Sequence, residues 1–256
     1  MVGVVILWLG EGAQIAVDKS TSALEKVLSS ELGKDLEEIF FNYHENKTDE
    51  LKNILDSKLK ETILSAAYTG LKGIADEAEE THNDIKDYST TLLMAAHKKT
   101  KYGHLVVTFW VGDGVIALYT KEKDVLLLGE PDSGEFAGQT RFLDASFFYD
   151  TSRIKIELVQ DFTALILATD GVSDPYFETD ESLGSVEKWD DFWAKISSFV
   201  TQKDSASARK DLLRWLDFWS KGNHDDRTIA LLLPSENALP EDENIDLIEV
   251  KEDDNG

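Results

Sequence analysis

Carboxylates stand where apolar runs begin or end in at least three places along this chain. Asp170 directly follows the run ALILAT and precedes Gly171, and Asp174 comes four residues later in DGVSD. Asp225 and Asp226 stand just ahead of TIALLL in HDDRT, with Arg227 between, and Asp113 lies in Gly112-Asp113-Gly114 between two further apolar runs. Taken singly, Asp-Gly is ordinary turn chemistry and Asp before a strand is ordinary loop chemistry. Taken together, these acids would form an all-oxygen cluster if the strand ends converge. Hard oxygen donors select Mg2+ or Mn2+.

Other chemistries find less support. The chain has no cysteine, which removes disulfides, thiolate metal sites and a Cys nucleophile. This fits a reducing compartment, and a cytoplasmic location is the expectation. The five histidines, His44, His82, His97, His104 and His224, contain no pair at the i, i+4 spacing of a helical zinc site; core or solvated histidines are the plainer reading. Gly10-Glu11-Gly12 follows a strand and opens a helix, but Ile15 stands where a dinucleotide fingerprint wants its third glycine. No Gly-Lys-Ser/Thr phosphate loop is present, since Lys19-Ser20 follows Asp18 within the first helix.

The chain has 256 residues, 42% of them hydrophobic, and a net charge of −24 from 26 basic and 50 acidic residues. That composition suits a packed core. The charge disfavours nucleic acid and anionic membrane surfaces as partners. Met1 to Leu9 is too short to cross a bilayer and has neither a basic flank nor a small-residue cleavage site; it reads as a buried strand.

The elements that must position the acids follow from periodicity. The β-branched run Val2 to Leu9 suits a strand covered on both faces. Ala13, Ala16, Val17, Leu24, Val27 and Leu28 recur at helical spacing, to about Leu32. A shorter helical piece covers residues 35–43, and Leu51, Ile54, Leu55, Leu59, Ile63 and Ala66 form a second clear helical stripe. Residues 70–87 are polar and read as a loop. Short apolar runs at residues 90–96, 104–111, 115–120 and 125–128 read as strands, with Gly112-Asp113-Gly114 signalling a hairpin. Further strands are expected at residues 154–158 and 164–168, helices at 189–200 and 208–219, and a last strand at 228–233. Residues 235–256 are mostly acidic and read as a disordered tail after a domain spanning residues 1–234. Helices that do not alternate with strands argue for an α+β fold of largely antiparallel sheets with helix pairs outside. A four-layer α-β-β-α sandwich fits the order.

With these motifs in place, the chain resembles the PPM (protein phosphatase 2C-like) family of metal-dependent phosphatases, particularly its short bacterial branch. LILATDGVSDP resembles the family's strand ending in a Ser/Thr-Asp-Gly turn, and DDRTIALLL its Asp-Asn-x-Thr segment. Thr90-Thr91 with VGDGVIALY resembles the Thr-Thr strand and Gly-Asp-Ser hairpin. GEFAGQTRFLD and GEGAQIAVDKSTSAL resemble the segment before the Asp-Gly strand and the start of the first helix. The resemblance implies that Asp170 and Asp225 ligate one metal of a central Mn2+ or Mg2+ pair, while Asp113 and Asp174 help hold a third. It implies supporting roles for Gly171, which would permit the turn, for Thr228 behind Asp225, and for Asp226 in the family's Asn position. It further implies hydrolysis of phosphoserine or phosphothreonine on a protein by a metal-activated water, with a Ser/Thr kinase as a possible partner.

One departure stands out. The family's Asp-Gly turn before the first helix supplies a bridging ligand, and here MVGVVILWL carries no acid. The upstream strand that bears another of the family's acids and a phosphate-gripping basic residue is also missing. Two expectations compete: a truncated or misassigned reading frame of an active enzyme, or a degenerate member that binds partners without turnover.

Overall fold

The computed structural model describes residues 2–9, 12–120, 122, 124–132, 141–201, 204–217, 227–234 and 248–249. Strand β1 (Val2–Leu9) leads to helices α1 (Ala13–Leu28), α2 (Glu31–Asn46) and α3 (Asp49–Thr81). The next strands are β2 (Thr91–Thr100), β3 (Gly103–Val111), β4 (Val115–Tyr119), β5 (Val125–Gly129), β6 (Ile154–Val159) and β7 (Ala164–Ala168). Helices α4 (Asp170–Ser173), α5 (Asp180–Leu183), α6 (Val186–Val200) and α7 (Ser205–Leu216) precede β8 (Thr228–Leu232) and β9 (Ile248–Glu249). Among the described residues no helix is long and apolar enough to cross a membrane.

Two sheets result, in strand order β1-β2-β3-β6 and β5-β4-β7-β8-β9, and their described pairings are antiparallel. Alternating side chains of β2 and β3 explain the layering. Leu92, Met94, Val107, Phe109 and Val111 face α1 and α3. Leu93, Ala95, Val106 and Trp110 face the opposite way, against Ile116, Leu118, Leu165 and Leu167 of the second sheet. The outer face of that sheet, with Val115, Ala117, Ile166 and Ile229, meets Trp189, Phe192 and Ile196 of α6 and Leu212 and Leu216 of α7. Strands buried on both faces read as continuous apolar runs, which is why VIALY and ALILA are recognisable. The expected α+β class with antiparallel sheets and outer helices is what the chain adopts.

Three expectations fail. The polar stretch after residue 70 is largely helix, because α3 continues to Thr81. Gly70 and Gly73 do not break it. A Cβ on Gly70 would meet Ser20 Oγ at 2.3 Å and the Ala16 carbonyl oxygen at 2.8 Å, so glycine lets α3 lie close against α1. Ile74 and Ala78 then carry the buried stripe onward. Second, Gly112-Asp113-Gly114 makes no hairpin. β3 pairs with β2 and β6, whereas β4 pairs with β5 and β7, so this joint carries the chain from one sheet to the other. Third, the segment taken as an acidic tail contributes β9, paired with β8 at Thr228–Glu249 and Ile229–Ile248; its other residues lie outside the described ones.

Candidate functional site

β7 is buried throughout and stops because α4 starts immediately after it. Thr169 is extended, at φ −74° and ψ 163°, and Asp170 opens the helical turn. A carboxylate in the first turn is favoured by the helix dipole, and its Oδ1 accepts the Gly171 N–H at 2.8 Å. The Asp174 N–H donates to the Asp170 carbonyl at 2.9 Å, placing the two acids four residues apart on one helical face. Val172 and Ser173 are buried, Asp170 is half-buried and Asp174 is exposed. Pro175 follows. Gly171 does not take the role expected of it: the described glycines with positive φ are Gly103 and Gly112. The backbone turns at Asp170 by ordinary helical geometry that needs no special glycine conformation.

Asp113 approaches the same edge from the neighbouring strand. β4 and β7 are paired with Val115 opposite Ala168, so continuing that register past both strand ends sets residues 113–114 beside residues 169–170. A Cβ on Gly114 would come within 2.7 Å of the Ala168 carbonyl oxygen, so glycine is what admits this approach. Gly112 has φ +112°, and a Cβ there would lie 2.4 Å from Thr91 Cγ2. It is therefore a position for glycine alone.

β8 completes the edge. Thr228 is buried. Its N–H donates to Thr169 Oγ1 at 3.0 Å, and its carbonyl accepts the Thr169 N–H at 3.1 Å. Thr228 thus fastens the start of β8 to the residue just before Asp170. Asp225 and Asp226, the two acids expected in front of Thr228, lie outside the described residues. The structure therefore brings Asp113, Asp170, Asp174 and Thr228 to one end of the second sheet. Among the described residues, no three carboxylates or imidazoles come together as a group able to hold a metal ion. The donors that reach this edge are oxygens, the type suited to Mn2+ or Mg2+.

Sequence reasoning missed two residues beside the site. Asp132 accepts the Gly112 N–H, and Arg153 donates to Asp132. Neither belongs to a motif, and no spacing links either to Gly112. An apolar cavity of about 90 Å³ lies elsewhere, at the far end of β2, between Leu36 and Phe40 of α2 and the backbone from Ala96 to Thr100.

Residues 10–217 match the sequence profile of the family described as Protein phosphatase 2C, and the chain belongs to that family. Solved structures with a similar overall path include the serine/threonine phosphatase PstP/Ppp of Mycobacterium tuberculosis, at 13% identity over 84% of this chain and 81% of that one, with a TM-score of 0.46. The Staphylococcus aureus serine/threonine phosphatase Stp1 is similar at 14% identity, over 91% of this chain and 84% of that one, with a TM-score of 0.44. The catalytic domain of the PstP enzyme has been solved in complex with 2 manganese ions, and shows 12% identity over 84% of this chain and 80% of that one, with a TM-score of 0.43. No curated protein sequence matches this one.

Proposed function

We propose that this chain is a protein serine/threonine phosphatase that hydrolyses phosphomonoesters with the help of Mn2+ or Mg2+. Asp170 and Asp225 would hold one ion of a central pair, and Asp113 and Asp174 would help hold a further, weaker one. The observation that carries the reading, within a chain of this family, is the β4–β7 register, which sets the joint around Asp113 against the start of α4. Bound at that edge, divalent ions supply a water of lowered pKa and neutralise charge on the phosphoryl oxygens.

The protein's own residues supply position. Asp170 and Asp174 offer carboxylates from one face of a helical turn, and Thr228 would anchor the strand behind Asp225. Asp226, in the family's Asn position, would add charge near the metals. The substrate is a phosphorylated protein, which a Ser/Thr kinase would supply. With saturating Mn2+, the purified protein is expected to release phosphate from p-nitrophenyl phosphate, and Asp170→Asn to abolish the release. No turnover by the parent protein under those conditions removes this reading.

One observation favours a second reading, a phosphatase-like module that binds phosphoproteins or a kinase without turnover. Residues 1–10 contain no Asp or Glu, yet β1 runs into α1 at the place where the family resemblance expects a bridging carboxylate. Glu11 is the nearest acid. Titration calorimetry with Mn2+ separates the two: tight binding of two ions supports the enzyme, and weak binding of a single ion supports the module.

A further inference from the structure

We infer that Asp132 and Arg153 are positioning residues for Asp113, acting through the backbone of Gly112. The metal-binding part of this inference rests on the function proposed above; the clamp itself does not. Gly112 has no side chain to fix it and adopts a conformation that tolerates none. Its peptide groups are instead held from both sides by one residue. The Gly112 N–H donates to Asp132 Oδ2 at 3.0 Å, and the Asp132 N–H donates back to the Gly112 carbonyl at 3.0 Å.

Arg153 locks that residue in turn. Its Nη2 donates to Asp132 Oδ1 at 2.5 Å, and its Nη1 reaches the carbonyl of Trp110, two residues before Gly112, at 3.4 Å. The guanidinium lies over the Phe147 ring at 4.6 Å, and the Asp132 and Arg153 side chains are each only 9% exposed. A buried ion pair gains little by itself, because both charges lose their water. Here its contacts converge on the Trp110–Gly112 segment, which directly precedes Asp113. Arg153 also pairs with Asp150 at 3.3 Å, so two carboxylates match its charge. Supporting partners that fix the orientation of a ligand commonly tune metal affinity by ten-fold or more.

The test uses the full chain and two readouts. In metal-free protein, Asp132→Asn is expected to speed hydrogen exchange at the Gly112 and Asp113 amides at least ten-fold, while exchange in α6 stays unchanged. In calorimetry, the same variant is expected to weaken the lower-affinity Mn2+ binding about ten-fold or more. Arg153→Lys, which keeps the charge but loses the two-pronged geometry, falls between parent and Asp132→Asn. Asp150→Asn, which touches Arg153 but not Gly112, stays within two-fold of the parent. Unchanged amide exchange in both Asp132→Asn and Arg153→Lys overturns the clamp. Loosened amides with unchanged Mn2+ affinity overturn its role toward Asp113. A parent that binds no Mn2+ defeats the metal-dependent function and with it the role toward Asp113, whereas the exchange readout still decides the clamp.

Discussion

At the end of β2 remote from Asp113, His97 and His104 face the interior between the sheets. Their rings stack at 5.1 Å, with His97 Nε2 at 2.8 Å from His104 Nδ1 and the edge of Phe162 against both. Burial, then the neighbouring His104 and the nearby positive charges, lower the His97 pKa to about 4 from its ordinary 6.5. Between those values the unfolded chain binds a proton that the folded chain excludes, so stability falls as pH drops through that window. Above pH 6.5 His97 has no effect. The full span corresponds to about 3 kcal/mol. Urea midpoints at pH 7.5 and 4.5 should fall further apart in the parent than in His97→Gln. Thr169 gives a second residue-level prediction. Thr169→Val strands the buried Thr228 N–H and should cost about 1–3 kcal/mol, read as a lower denaturation midpoint. Asp170 was legible because a buried strand stops abruptly at it. Gly171 was misread because Asp-Gly suggests a tight turn, whereas the chain simply enters a helix. Asp132 and Arg153 gave no local sign, since both act across the fold on a backbone that carries no sequence signal.

Helix α3 shows how an element can hide from periodicity. Its N-terminus is fixed locally: the Thr48 hydroxyl accepts the Leu51 N–H, and Asp49 and Glu50 fill the first turn. Its second half read as loop because residues 70–87 are polar. Packing against α1 overrides that polarity and leads to predictions of different size for the two glycines. Gly70→Ala should destabilise the protein by about 1–3 kcal/mol despite better propensity, because backbone of α1 blocks the new methyl group. Gly73→Ala meets side-chain atoms alone, Lys19 Cγ at 2.7 Å and Ile15 Cγ2 at 3.1 Å, so it should cost less than Gly70→Ala, about 1 kcal/mol or below. Thermal unfolding of both variants checks the contrast. The joint at residues 112–114 is a second element-level case. A glycine-rich link between two strands carries the same sequence signal whether those strands pair with each other or enter different sheets.

For the molecule as a whole, a ligand that binds the folded state alone must raise its stability. Mn2+ at about 100 times its dissociation constant should add roughly 2.7 kcal/mol. Differential scanning calorimetry should show a higher midpoint with Mn2+, reversed by EDTA and reduced in Asp170→Asn. The net charge of −24 should add a separate rise in midpoint with monovalent salt, as screening relieves self-repulsion. By itself the sequence determined the α+β class, most strands and the acids at their ends, because burial on both faces and abrupt polar boundaries write themselves into local composition. Tertiary structure alone decided which sheet each strand joins, how far α3 runs, and which distant side chains hold Gly112. Those outcomes depend on contacts between segments far apart in the chain, and no local periodicity encodes such contacts.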